Sequence, residues 1–259
     1  MKVGGFDIDI IVQGFPGKSV CHGALGWSTV ALLRGNGHVL LVDVGAFSYR
    51  KLLVEGLAAR GLRPDDVTDV LLTHAHYDHC VNWLTFPNAH IHIGGAELAW
   101  ALQEPCGLTS VPELYVRELE HAPKLRRLHG GEEIMPGLVA VDAPGHTPGH
   151  LIFVLSGGDR DVIFTGDAAK NRAELISRDA DMTYDPAVSR RSIERIWELW
   201  RSRPENVVVP GHDVPMVLRA GRPCYIGERR AAVSAWFEDR LETTMLFELT
   251  LEGEARMRG

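Results

Sequence analysis

Cysteine is scarce and scattered. Cys21, Cys80, Cys106 and Cys224 form no CxxC pair, which argues against a zinc ribbon and a dense disulfide framework. No apolar run is long enough to span a bilayer. The first fourteen residues alternate apolar and polar, without the charged start, continuous apolar stretch and cleavage site of a secretory signal. A cytoplasmic, reducing setting is therefore the expectation. Basic residues are also short: 27 Lys and Arg against 34 Asp and Glu give a net charge of -7, so neither a nucleic-acid backbone nor an anionic membrane meets a broad electrostatic footprint. Ser- or Pro-rich linkers and internal repeats are missing as well. With 45% hydrophobic residues in 259, the chain has material for a substantial core, and a single domain over 1–259 is expected.

What is present is a rhythm of strands and helices. Strand-like runs occur at 6–12 and 28–33, and Gly35-Asn36-Gly37 turns the chain into a further strand at 38–42. Ser48 is placed to cap a helix to about residue 59, and 67–73 returns as a strand. A strand at 89–93 leads to a helix from about Ala96. Strands recur at 138–141, 151–155, 162–165 and 206–209. Asp185-Pro186 opens a helix whose Ile193, Ile196, Trp197 and Trp200 share one face, a stripe that reads as core. An amphipathic helix at 228–241 and a strand at 245–251 are expected to close the chain.

The segment Thr73-His74-Ala75-His76-Tyr77-Asp78-His79 follows a strand, so its side chains project from a strand end, where α/β folds place ligands. Imidazole and carboxylate are donors that zinc and related metals accept. A histidine-rich surface turn is the plain alternative. Three later residues weigh against it: His146 in Pro144-Gly145-His146, Asp167 in Thr165-Gly166-Asp167 and His212 in Pro210-Gly211-His212 each also follow a strand-like run.

With its HxHxDH motif and later His, Asp and His in order between Asp43 and His212, the sequence resembles the metallo-beta-lactamase superfamily. The resemblance implies an αβ/βα four-layer sandwich of two mixed β-sheets flanked by helices, with metals at one edge. It implies that His74, His76 and His146 bind one metal, that Asp78, His79 and His212 bind a second, and that Asp167 bridges them. Two Zn²⁺ are expected, with Fe or Mn as alternatives. Asp43 would orient a ligand from behind. Hydroxide made at the metals would attack an ester or lactone carbonyl, Asp78 assisting proton movement.

Zinc beta-lactamases of the superfamily commonly use a Cys ligand where this chain has Asp167, which turns the reading towards lactonases. Phosphodiesterases, nucleases and thioesterases of the same fold are the alternatives. An iron oxidoreductase similar to persulfide dioxygenases and a non-catalytic metal-binding protein are readings of other classes. Lactonases often carry a tyrosine soon after the bridging Asp, whereas this chain has Ala168, Ala169 and Lys170, with Tyr184 farther on. Tyr77, Lys170 and Tyr184 are the candidate contacts for a small-molecule substrate. Nucleic acid and membrane are not expected partners, and the terminal strand offers an edge for a homodimer.

Outside this set, His90 and His92 read as structural, His150 as a donor behind the site and Cys80 as a buried thiol. His22, His38, His121 and His129 show no pattern. Residues 103–124, with three prolines and a glycine, are a candidate substrate wall.

Overall fold

The structure, a computed structural model, describes residues 1–20 and 25–250. Cys21, His22 and the end of the last expected strand lie outside the described residues. One seven-stranded sheet runs in chain order through β1 (Lys2–Val3), β2 (Phe6–Val12), β3 (Val30–Gly35), β4 (His38–Val42), β5 (Asp69–Leu71), β6 (His90–Gly94) and β7 (Leu125–Leu128). The second contains β8 (Glu133–Met135), β9 (Leu138–Asp142), β10 (Leu151–Gly157), β11 (Arg160–Gly166), β12 (Val207–Pro210), β13 (Met216–Arg219) and β14 (Arg222–Tyr225), also in chain order.

Both sheets are mixed. The first is antiparallel from β1 to β4 and parallel from β4 to β7; the second is antiparallel except for the parallel pair β11 and β12. Parallel neighbours need crossovers, supplied by α1 (Arg50–Ala58) between β4 and β5, and by α6 (Pro186–Arg201) between β11 and β12. The hairpins follow turn chemistry. Asn36 and Gly37 both have positive φ between β3 and β4, and Ala220 and Gly221 do so between β13 and β14.

Alternation of side chains creates the layers. In β10, Leu151, Phe153 and Leu155 join the core that also holds Leu33, Leu40 and Leu71 of the first sheet, whereas Ile152 and Val154 join the core beneath α6. On the far side of the first sheet, Leu32, Leu41 and Val70 pack with Leu53 and Leu57 of α1 and Leu98 of α3 (Gly95–Ala101). The result is helix, sheet, sheet, helix.

The start of α6 is as expected: Asp185 accepts the N–H groups of Ala187 and Val188 at 2.9 and 3.0 Å. Trp200 is buried completely, with its indole N–H on the Asn206 carbonyl at 3.0 Å. Such burial contributes about 2–3 kcal/mol.

Two expectations are corrected. Residues 228–241 form no helix; instead β15 (Ala232–Ala235) pairs antiparallel with β16 (Met245–Glu248). The apolar periodicity of that stretch is outweighed by cross-strand partners supplied ten residues later. Ser48 caps nothing: Phe47–Tyr49 is a 3-10 turn running directly into α1 without a side-chain cap.

His38, partly exposed, and His92, buried, belong to a polar cluster around the buried Asp69. Asp69 contacts His38 Nδ1 at 3.0 Å, His92 Nε2 at 2.9 Å and the Thr68 hydroxyl at 2.7 Å. Burial pushes its carboxyl up, but the hydrogen bonds from His92, Thr68 and His38 win and carry it down to about 2. A depressed carboxyl stabilises the fold above its unfolded pKa and loses that contribution as pH falls through the folded one. Asp69→Asn is therefore expected to cost roughly 2 kcal/mol at neutral pH. Urea titrations from pH 7 to 2 should show the difference from wild type shrinking between pH 3.8 and about 2. A constant difference across that window would assign the loss to packing.

Candidate metal centre

Strands β4, β5, β9, β11 and β12 deliver their following loops to one edge between the sheets. The loop after β5 carries His74 and His76, then the single turn α2 (Tyr77–Cys80) that holds Asp78 and His79. The loop after β9 carries His146, the turn after β11 carries Asp167, and the loop after β12 carries His212.

Donor atoms from these loops converge in two sets. In one, His76 Nδ1 lies 3.0 Å from His146 Nε2, which is 3.3 Å from Asp167 Oδ2; His74 belongs to the same group and also comes together with His79 and Asp167, between the two sets. In the other, His79 Nε2 and His212 Nε2 are 3.3 Å apart and each is 3.2 Å from Asp167 Oδ1. Asp78 Oδ2 completes that set at 3.4 Å from His212 Nε2 and 3.7 Å from His79 Nε2. Asp167 thus turns one oxygen towards each set.

The residues fit metal ions. A tetrahedral zinc with ligands at about 2.0–2.1 Å spaces them by about 3.3 Å, close to the separations found here. His74 Nε2 and Asp167 Oδ1 are buried without a hydrogen-bond partner among the described residues, a costly arrangement unless something else satisfies them. Burial pushes the imidazoles of His74 and His146 well down and that of His76 to about 4, so all three are neutral donors at neutral pH. Around His79 the balance reverses: burial disfavours its charge, but Asp167, Asp78 and Asp43 together pull its pKa well up. That set holds a surplus of negative charge that calls for a cation.

Asp43 stands behind the second set. Its φ of 55° places it in the left-handed region immediately after β4. Oδ1 accepts the Thr73 N–H at 2.8 Å, and Oδ2 lies 2.8 Å from His79 Nδ1. With Nδ1–H donating to Asp43, a cation that displaced the second ring proton would find the Nε2 lone pair aimed at it.

His150 has the opposite polarity to that expected. Its Nε2 accepts the Asp167 backbone N–H at 3.0 Å, and burial holds its pKa down at about 3, so the ring is neutral and accepts behind the site. Two buried acids escaped sequence reasoning. Asp213 accepts the Arg172 N–H at 3.1 Å and the Tyr225 hydroxyl at 3.0 Å, anchoring the loop that carries His212. Glu97 accepts the N–H groups of Ala75 and Gly149. Adjacency to His212 was the available signal for Asp213, and an acid amid the small apolar residues of a helix start was the signal for Glu97.

A cleft of about 660 Å³ opens onto the donors and is lined by His76, Asp78, Tyr77, Lys170, Ser110 and Met182, among others. Lys170 is paired with Glu174 at 2.9 Å and donates to the Asp181 carbonyl at 2.7 Å, while Lys18 is paired with Asp181. Tyr184, expected to contact substrate, is not among the residues lining the cleft; its backbone N–H reaches the His146 carbonyl at 3.3 Å, and its exposed ring meets Trp100 edge-on at 6.2 Å. The 103–124 segment touches the cleft through Ser110, whose carbonyl accepts the Tyr77 N–H at 2.9 Å. Its α4 (Glu113–Glu120) instead buries Val116 and Leu119 in the core of the first sheet. Trp83 is also core, and Phe15 stacks on Trp27 with ring centroids 4.7 Å apart.

Gly211 lies against the shared carboxylate. A Cβ there would collide with Asp167 Oδ1 and the Gly166 carbonyl. Gly211→Ala is expected to displace Asp167 and lower catalytic efficiency by about 10²-fold, with metal content reduced. Atomic absorption on the purified variant checks this; a full metal complement with unchanged turnover would show that the loop adapts.

An αβ/βα sandwich with two His/Asp donor sets sharing one carboxylate at the edge between its sheets is the class defined by this fold and site. The chain belongs to the metallo-beta-lactamase superfamily, which its residues 26–212 match. It is 31% identical over 193 residues to a probable metallo-hydrolase of Mycobacterium tuberculosis, a match covering 65% of this chain and 62% of the relative. It is 27% identical over 165 residues to an N-acyl homoserine lactonase of Bacillus thuringiensis, covering 62% of each. The matched regions therefore span less than two thirds of those relatives. Among solved structures, a probable metal-dependent hydrolase from Staphylococcus aureus superposes with a TM-score of 0.69 at 20% identity, covering 84% of this chain and 92% of that one, a likeness of fold.

Proposed function

We propose that this protein is a metal-dependent hydrolase of a neutral carbonyl ester, with a lactone as the foremost substrate class. In this reading His74, His76 and His146 hold one ion, and Asp78, His79 and His212 hold a second. Asp167 is shared between them. The observation that carries the reading is that the two oxygens of Asp167 face separate donor sets at 3.2 and 3.3 Å. Zinc ions bound there would supply a water-derived nucleophile near neutral pH and a Lewis acid for the substrate oxygen.

The chain's own residues divide the remaining work. Asp78, with 21% of its side chain exposed against 6% for Asp167, is the acid able to pass a proton to solvent or to a leaving group. Asp43 fixes the tautomer of His79 through Nδ1, and His150 fixes the backbone of Asp167. Tyr77 and Lys170 wall the cleft.

Substrate charge follows from the wall. Both lysines lining the cleft are already matched by carboxylates, so a phosphodiester finds no unpaired lysine there among the described residues. A neutral ester needs none, and a lactonase among the relatives is consistent with this choice. Hydrolysis of lactone, thioester and phosphodiester substrates should be measured side by side on zinc-replete protein, with oxygen uptake on glutathione persulfide as the redox arm. Lactone turnover is expected to dominate. Greater phosphodiester turnover would overturn the substrate class, and oxygen consumption by a single-iron form would overturn the hydrolase reading itself.

A further inference from the structure

We propose that Glu97 is a positioning residue that sets the metal affinity of the His74, His76 and His146 subsite selectively, by tying together the two loops that carry those histidines. The inference rests on the metal-centre reading above and adds to it a residue that contacts none of the donor side chains.

The geometry is specific to that half of the site. Glu97 Oε1 accepts the N–H of Ala75, which lies between His74 and His76, at 2.9 Å. Glu97 Oε2 accepts the N–H of Gly149, in the loop that carries His146, at 3.0 Å. The carboxyl is wholly buried. A single rigid group therefore fixes the separation of loops 52 and 22 residues away from it in sequence. His146 and His76 must meet across those loops to share an ion.

The loops are pressed onto the helix that bears Glu97. A Cβ on Gly149 would strike the Glu97 backbone N and Cα, and a Cβ on Gly94 would come within 2.8 Å of the Gly149 carbonyl. No side chain fits between these segments, which keeps the loop that carries His146 against the helix start that bears Glu97. Asp43 braces the other side: it holds His79 directly and reaches His74 only through the Thr73 hydroxyl, and among the described residues it has no hydrogen bond to the 146–150 loop. The tie to the loop that carries His146 thus belongs to Glu97 and not to Asp43.

Burial pushes the Glu97 carboxyl up to about 7, against the pull of the Ala75 and Gly149 N–H groups. Glutamine in its place keeps the shape but offers one carbonyl oxygen and one N–H₂ group. That N–H₂ would confront a backbone N–H donor, leaving a buried group unsatisfied and forcing the loops apart. Residues supporting metal ligands typically affect affinity by about 10–100-fold.

The test uses full-length protein with one subsite disabled at a time and reads zinc affinity by competition with a chromogenic chelator. In a His212→Ala background, which leaves the His74, His76 and His146 set, Glu97→Gln is expected to weaken zinc binding by about 10–100-fold. In a His146→Ala background, which leaves the Asp78, His79 and His212 set, the same substitution is expected to leave affinity unchanged. Circular dichroism checks that each protein is folded. Should Glu97→Gln fail to fold, Glu97→Asp, a methylene too short to reach both loops, is read in the same two backgrounds and must show the same asymmetry. Equal weakening in both backgrounds, or none in either, overturns the role of Glu97 while the metal centre stands. Absence of zinc binding in both backgrounds before Glu97 is changed overturns the metal centre and this inference with it.

Discussion

Asp167→Asn is expected to lower hydrolytic turnover by about 10³-fold or more, through loss of roughly 4 kcal/mol of transition-state stabilisation. The carboxylate places Oδ1 3.2 Å from His79 Nε2 and His212 Nε2, and Oδ2 3.3 Å from His146 Nε2. Asparagine keeps the volume but replaces one oxygen by an N–H₂ donor, which cannot ligate. One of the two sets therefore loses its shared donor whichever way the amide turns. The lost negative charge also leaves the histidines without the group that attracts a cation. Zinc content by atomic absorption should fall from the wild-type value while circular dichroism stays that of folded protein. Unchanged zinc content and unchanged turnover would remove Asp167 from the centre.

The second large effect is expected at Asp43, which touches none of the reacting atoms. Asp43→Asn preserves the left-handed backbone, because asparagine tolerates positive φ as aspartate does. It also preserves an oxygen for the Thr73 N–H. The amide nitrogen then faces His79 Nδ1, where the carboxylate oxygen lies 2.8 Å away in the native chain. Two N–H donors cannot share that contact. His79 must move its proton to Nε2, which turns a lone pair away from the ion and a hydrogen towards it. Zinc affinity at the Asp78, His79 and His212 set should fall by about 10–100-fold. Competition with a chelator measures it, and ¹⁵N NMR of the histidine ring nitrogens reads the tautomer directly. An unchanged tautomer together with unchanged affinity would reduce Asp43 to a turn residue.

These two residues differ in how far sequence reasoning reaches. Asp167 and its companions were legible as donors because imidazoles and carboxylates repeat at strand ends, and strand ends can be read from apolar runs such as 162–165 and 206–209. Asp43 was legible only by its place after an early strand. Glu97 was not recognised, since a glutamate in a helix carries no mark of which backbone N–H groups it will meet. Lys170 was read as a lysine beside Asp167, and the structure pairs it with Glu174 and the Asp181 carbonyl, which alters the charge a substrate meets. The stretch 228–241 has a helical spacing of apolar residues, yet its Ala232–Ala235 pairs with Met245–Glu248, a partner strand that local pattern cannot reveal.

The sequence by itself determined the donor chemistry, its order along the chain, and the alternation that gives each inner strand two apolar faces. All of these are local properties, set by side-chain type and by the twofold period of a strand. The tertiary structure decided how the donors divide. His76 and His146 are 70 residues apart and meet at 3.0 Å, and His79 and His212 are 133 apart and meet at 3.3 Å. It also decided which buried acids brace them. Those separations are fixed by the packing of one sheet on the other around Phe153, Phe164 and their neighbours, a property of the whole core that no single segment carries.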